Sequence, residues 1–111
     1  MSIDTPRYLA EIDRVWNEIS DTLEEQEIDV DAYVIGSVFT IEAADRSQVI
    51  INRQEPKHEL WLASTAGASH FIYDPEKDDW INTADQQSSF WSHLDIALNA
   101  IGVPKLFVNK Y

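Results

Sequence analysis

Between Glu18 and Asp31, seven of fourteen residues are carboxylates (Glu18, Asp21, Glu24, Glu25, Glu27, Asp29 and Asp31), and none is basic. Carboxylate oxygens are the donors that hard divalent cations take, and water completes the shell where protein does not. The same field attracts basic proteins. Crowded like charges lower the stability of the compact state, so a cluster of this kind points to a cation that sits on it in use. Asp21, Glu24, Glu25, Glu27, Asp29 and Asp31 are the candidate ligands. No imidazole or thiolate lies nearby in sequence. An oxygen-only, exposed donor set predicts weak, exchangeable binding with little discrimination among Fe²⁺, Mn²⁺, Co²⁺ and Ca²⁺. The competing account is a solvated helix face, the ordinary fate of a charge run, and spacing alone does not separate the two.

A second set of residues suits binding without chemistry. In QVIINRQ, Asn52 and Gln54 alternate onto one face with Gln48 and Ile50, and in HELWLA Trp61 shares a face with Glu59 and Ala63. If helices cover the Val49, Ile51, Leu60 and Leu62 face, Trp61 is displayed outward among amides, as a binding anchor. A Trp covered by its sheet neighbours fits the pattern equally well. The three histidines, His58, His70 and His93, are scattered, and a joint role for His58 and His70 on neighbouring strands is the one pairing on offer. The chain has no glycine-rich phosphate loop, no HExxH and no nucleophile elbow. Asp29-Val30-Asp31 begins like a calcium loop but lacks its glycine.

These residues need elements to hold them. Thr5-Pro6 reads as a helix start, a capping hydroxyl followed by proline at the first helical position. Tyr8, Leu9, Ile12, Val15, Trp16, Ile19 and Leu23 recur at helical spacing and form a core face. Glu11, Arg14, Glu18, Asp21 and Glu25 fall opposite, an acidic ridge that intensifies toward the C-terminus, against the helix dipole. From Ile28 the period becomes two: Ile28, Val30, Ala32 and Val34 point inward and Asp29 and Asp31 outward. Gly36-Ser37 signals a hairpin, and further turns separate VFTIEA, QVIINRQ, HELWLA, SHFIYD and WIN. Ser88 or Ser89 caps a second helix carrying Phe90, Trp91, Leu94, Ala97, Leu98 and Ile101, stopped by Gly102 and Pro104. The tail KLFVNKY is apolar enough for Leu106, Phe107 and Val108 to tuck against the helices. Helix, strand run, helix predicts an α+β two-layer sandwich: an antiparallel sheet of five to six strands, with N- and C-terminal helices packed on one face.

Length and composition agree with one domain over residues 1–111, with 44% apolar residues to build a core. The absence of cysteine excludes disulfides, thiolate zinc sites and thiol catalysis. No apolar stretch approaches the ~20 residues needed to span a bilayer, and MSIDTPRYLAEID has none of the zones of a secretion signal. A cytoplasmic protein is expected. Net charge is −12, of which residues 1–31 carry −8 (ten acids, two bases). That sign repels nucleic acid and anionic lipid, and favours cations and basic proteins.

The chain also resembles the frataxin family, in its bacterial CyaY branch. The most specific stretch is IINRQEPKHELWLAS, residues 50–64, followed by HFIYD, DDWI and SSFWSHL. The acidic first helix and strand match in character. The resemblance implies an α+β sandwich and weak iron binding through the ridge of the first helix and the edge of the first strand. It implies a role in iron–sulfur cluster assembly, with the cysteine desulfurase and its scaffold protein as partners. In that role the protein is an iron-dependent regulator or an iron donor, not an enzyme. The family's ridge carries over onto Asp21, Glu24, Glu25, Glu27, Asp29 and Asp31, and its sheet-surface positions onto Asn52, Gln54 and Trp61. Leu9 and Ser20 depart from bacterial members that have a histidine and a carboxylate there. A monomer is expected, with metal-driven oligomers as an open alternative. Two rival functions stand beside this one: a ferroxidase, which needs a fixed and partly enclosed site, and a metal-free acidic protein that occupies a basic site on a partner.

Overall fold

A computed structural model describes residues 3–111. A long helix, α1 (Thr5–Glu25), leads into six strands, β1 (Asp31–Ile35), β2 (Val38–Glu42), β3 (Gln48–Gln54), β4 (Glu59–Ser64), β5 (Gly67–Asp74) and β6 (Asp79–Asn82), and a second helix, α2 (Phe90–Ala100), follows. The strands form one antiparallel sheet in sequence order, and short 3₁₀ turns occupy Glu55–Lys57 and Val108–Lys110. This is the expected α+β sandwich. Tyr8, Ile12, Val15, Trp16, Ile19 and Leu23 of α1 and Phe90, Trp91, Leu94, Ala97 and Leu98 of α2 share one core with Phe39, Ile41, Val49, Ile51, Leu60, Leu62, Phe71, Tyr73 and Trp80 of the sheet. Both helices therefore cover one sheet face, and the other faces outward.

The α1 cap is Asp4, not Thr5: the Asp4 carboxylate accepts from Arg7 N–H at 2.9 Å. Thr5 lies inside the first turn and its hydroxyl meets His58 Nε2 at 2.9 Å instead. Ser89 caps α2, accepting from Trp91 N–H. Gly36, at φ 60°, opens the two-residue β1–β2 loop, the backbone of a type II′ turn that favours glycine.

Asp95 is fully buried on α2 and holds the C-terminal tail. Its carboxylate accepts from Leu106 N–H at 2.9 Å, Phe107 N–H at 3.2 Å and Tyr111 O–H at 2.9 Å. Phe107 is thereby drawn into the core, its ring 4.8 Å from that of Trp91, and Leu106 packs at the core margin. Val108 does not join them. It is 54% exposed, because the 3₁₀ turn that begins there carries it outward.

Candidate functional site

The ridge is placed by the way α1 ends. Glu27 N–H donates to Glu24 C=O at 3.1 Å and Ile28 N–H to Leu23 C=O at 3.0 Å, the paired bonds of a Schellman closure. Ile28 packs near the core with Leu23, as that motif favours. Glu27 takes the left-handed position at φ 52°, where glycine is the usual occupant. A non-glycine residue there costs roughly 1–2 kcal/mol, and a carboxylate at a helix C-terminus opposes the dipole. Glu27→Gly is expected to stabilise the apo-protein by about 1 kcal/mol, since the loss of strain outweighs the added chain entropy. Urea unfolding with and without divalent metal checks this, with metal binding weakened by the same substitution.

The closure carries the acidic run from helix onto strand in a few residues. Asp21, Glu24, Glu25, Glu27, Asp29 and Asp31 are all exposed. Among the described residues, none of the six takes part in an ion pair or a side-chain hydrogen bond. Asp21 and Glu25 lie one turn apart on the same helix face, a like-charge spacing that is itself unfavourable. Among the described residues, no three His, Asp or Glu side chains converge on a metal-sized centre. The donor set nonetheless suits a hard cation that keeps most of its water, since carboxylates are spread along an open surface.

Two acids of the expected ridge do not belong to it. Glu11 is 5% exposed and lies between Arg7 Nε at 2.7 Å and Arg14 Nη1 at 2.8 Å. The β5–β6 turn lies against this flank of α1: Asp78 meets Arg14 at 3.2 Å and accepts a bond from the Tyr73 hydroxyl. Strand spacing alone does not reveal that contact. Glu18 meets Lys110 Nζ at 3.0 Å and accepts from the Thr22 hydroxyl at 3.1 Å. The bond from Lys110 is the main cause holding its carboxyl below the usual range. A lowered folded pKa stabilises above the unfolded carboxylate range, and that contribution is lost as pH falls through the folded value. Lys110→Met is therefore expected to flatten the acid limb of the stability curve slightly, since a surface pair of this kind is worth about 0–1 kcal/mol. Melting midpoints from pH 7 down to pH 3 measure it. The uncompensated ridge thus begins at Asp21.

The first strand starts later than its pattern predicts, at Asp31. All five of its residues are exposed, Ala32 and Val34 included, while Ile28 and Val30 are half-buried in the connector. On this sheet edge, inward-facing burial begins only with Phe39 and Ile41 of β2.

On the outer sheet face, the register aligns Ile35, Val38, Asn52, Trp61 and His70 across five strands. Trp61 is half-buried and stacks on His70, with ring centroids 4.1 Å apart and planes at 5°. Its indole N–H donates to Glu59 Oε1 at 2.7 Å, and Lys57 Nζ lies 5.9 Å from its ring centroid. Asn52 Oδ1 accepts from the Ser37 hydroxyl at 3.1 Å. Gln54 sits opposite Glu59. Asn52, Gln54 and Trp61 thus share the outer face, but Trp61 is framed by His70, Glu59 and Lys57 as well as by amides. Strand alternation in HFIYD puts His70 outward, and only the β4–β5 register brings it to Trp61. His58 lies just before β4 and stacks on Tyr8 at 4.9 Å, on the helix side of the sheet. His58 and His70 are thus on opposite faces, which ends their joint role. His93 meets the Ser88 hydroxyl at 2.8 Å.

Comparison with known proteins is consistent with this arrangement. Residues 1–102 match the family model described as a frataxin-like domain. The chain is 48% identical over 95 residues to the iron-sulfur cluster assembly protein CyaY of Histophilus somni (strain 2336), spanning 86% of this chain and 89% of that one. It is 47% identical over 91 residues to the protein of the same name from Pasteurella multocida (strain Pm70), spanning 82% and 85%. Among solved structures, frataxin from Psychromonas ingrahamii superposes with a TM-score of 0.82 at 27% identity, covering 94% of this chain and 96% of that one. Yeast frataxin, with a TM-score of 0.64 at 22% identity over 86% of this chain and 83% of that one, shares the fold. By family model, by sequence and by fold, the chain belongs to the frataxin family, in its CyaY branch.

Proposed function

We propose that this protein serves iron–sulfur cluster assembly as a non-catalytic, iron-binding adaptor and regulator, or iron donor, in the cytoplasm. One observation carries the reading: six exposed carboxylates, Asp21, Glu24, Glu25, Glu27, Asp29 and Asp31, with no ion-pair partner among the described residues. The names of its relatives support the pathway. The ridge docks on a basic patch of the cysteine desulfurase. The sheet face around Asn52, Gln54 and Trp61 meets the scaffold protein. Ferrous ion, held as cargo on the ridge, neutralises charge and changes that docking.

Binding to the folded ridge raises thermal stability by mass action, about 2.7 kcal/mol at a metal concentration 100 times the dissociation constant. Thermal melts with increasing Fe²⁺ (anaerobic) or Co²⁺ test this, and a midpoint that stays fixed into the millimolar range counts against the reading. Trp61→Ala separates the two surfaces. It is expected to leave metal binding unchanged and weaken binding of the scaffold–desulfurase complex by about tenfold or more, the effect of losing an aromatic anchor. Calorimetry of both interactions on the same variant measures it.

A further inference from the structure

The sheet has two edges, and they are treated differently. Along β6, Asn82 N–H donates to Ser88 C=O at 2.9 Å and Ile81 bridges Ser89, so the segment before α2 lies against that edge. Trp80, Ile81 and Asn82 are buried accordingly. At the other edge, β1 is exposed along its whole length, with Tyr33 40%, Val34 47% and Ile35 73% exposed. An open strand bearing three successive large apolar residues is what natural sheets ordinarily blunt with lysine, proline or a bulge. The strand DAYVI has no lysine and no proline, and its pairing with β2 is continuous from Asp31↔Glu42 to Ile35↔Val38.

The backbone of β1 can be assigned residue by residue. Arg53 N–H donates to Ser37 C=O at 3.0 Å, and Ala43 N–H to Ser47 C=O at 2.8 Å. In an antiparallel sheet bonding alternates along a strand, so Phe39 and Ile41 bond to β3, while Val38, Thr40 and Glu42 bond to β1. Their partners Ile35, Tyr33 and Asp31 therefore spend their backbone groups on β2. Ala32 and Val34 turn their N–H and C=O groups to the open edge.

We propose that β1 accepts an extended segment of a basic protein as a seventh strand. This rests on the ridge-docking reading above and gives it a geometry. The Ala32 and Val34 backbone groups supply the hydrogen bonds. Tyr33 and Ile35 offer apolar neighbours on the outer face, and Val34 on the other. Asp29 and Asp31 at one end of the strand, backed by Glu24, Glu25 and Glu27, select lysine or arginine at the matching end of the incoming segment. A second copy of this chain is the poorer occupant: pairing on the same edge joins two molecules of charge −12, each bringing its 18–31 cluster.

Amide hydrogen exchange of the ¹⁵N-labelled protein, free and bound to the cysteine desulfurase, tests the proposal. Strand addition is expected to slow the Ala32 and Val34 amides at least tenfold on binding. Tyr33, already bonded to β2, changes far less. If the complex forms while both outward amides exchange at their free rates, strand addition is overturned and ridge docking stands. If the desulfurase does not bind the wild-type protein, both fall. Val34→Pro removes one outward donor at a position where the β1–β2 ladder has no bond to lose. It is expected to weaken desulfurase binding at least tenfold with metal binding intact, and a folded Val34→Pro variant that binds at wild-type affinity also overturns the proposal.

Discussion

Asp95→Ala is expected to lower the stability of this protein by about 3–4 kcal/mol. The carboxylate is fully buried and accepts bonds from two tail amides and the Tyr111 hydroxyl. Alanine strands those donors and releases the tail. Hydrogen bonds to a charged acceptor are worth about 1.5–3 kcal/mol each, and a donor left buried without a partner costs about 1–3 kcal/mol. The effect stays below the sum because the freed tail can reach water. Release also strips Phe107, 1% exposed, from its place against Trp91. At several degrees per kcal/mol for a domain of this size, the melting midpoint falls by about 10–20 °C. Asp95→Asn keeps one acceptor oxygen and the shape, so it is expected to lose roughly half as much. Far-UV circular dichroism melts of both variants measure the difference. Equal losses would mean that packing around the side chain, not its bonds to the tail, is what matters.

The second large effect runs the other way. Glu24→Gln, Glu25→Gln and Asp29→Asn together are expected to weaken divalent-metal binding tenfold or more while leaving the apo-protein as stable as before, or more so. Removing acids near the end of α1 relieves dipole opposition worth about 0.3–1 kcal/mol each and like-charge pairs worth a few tenths. Core and sheet are untouched, because all three side chains are exposed and none is hydrogen-bonded among the described residues. A solvated face with no cation to hold predicts the same gain in stability and no change in metal affinity. Calorimetric titration with Co²⁺, beside urea unfolding, distinguishes the two.

Much of this architecture can be read from residue spacing. The stripe from Tyr8 to Leu23, the alternation in QVIINRQ and HELWLA, and the Gly36-Ser37 turn each report a local period, and local periods survive folding. Misreadings arise where a distant segment, or the way a helix closes, decides. Glu11 looks exposed until the β5–β6 turn is laid beside α1. Ile28 and Val30 alternate as though already in β1, but they belong to the Schellman closure and its connector. Ala32 and Val34 do share the core-facing side with Ile41 and Phe39, but on an edge strand they stay exposed. Trp61 meets His70 only through the β4–β5 register. Asp95 lies inside an otherwise apolar stripe, Leu94 to Leu98, and a carboxylate there signals a buried partner whose identity spacing does not supply. The ridge from Asp21 to Asp31 is legible because, among the described residues, no distant cation reaches it, whereas Lys110 reaches Glu18.

On this reading positive charge is received on the surface running from Asp21 to Asp31. Chemical-shift titration of the ¹⁵N-labelled protein with a diamagnetic divalent ion, repeated with Co²⁺, tests it most directly. The amides of residues 21–31 are expected to move or broaden first, with the outer sheet face around Trp61 unchanged. Responses centred instead on His58, His70 or the Asp78–Asp79 turn, or no response into the millimolar range, would contradict it.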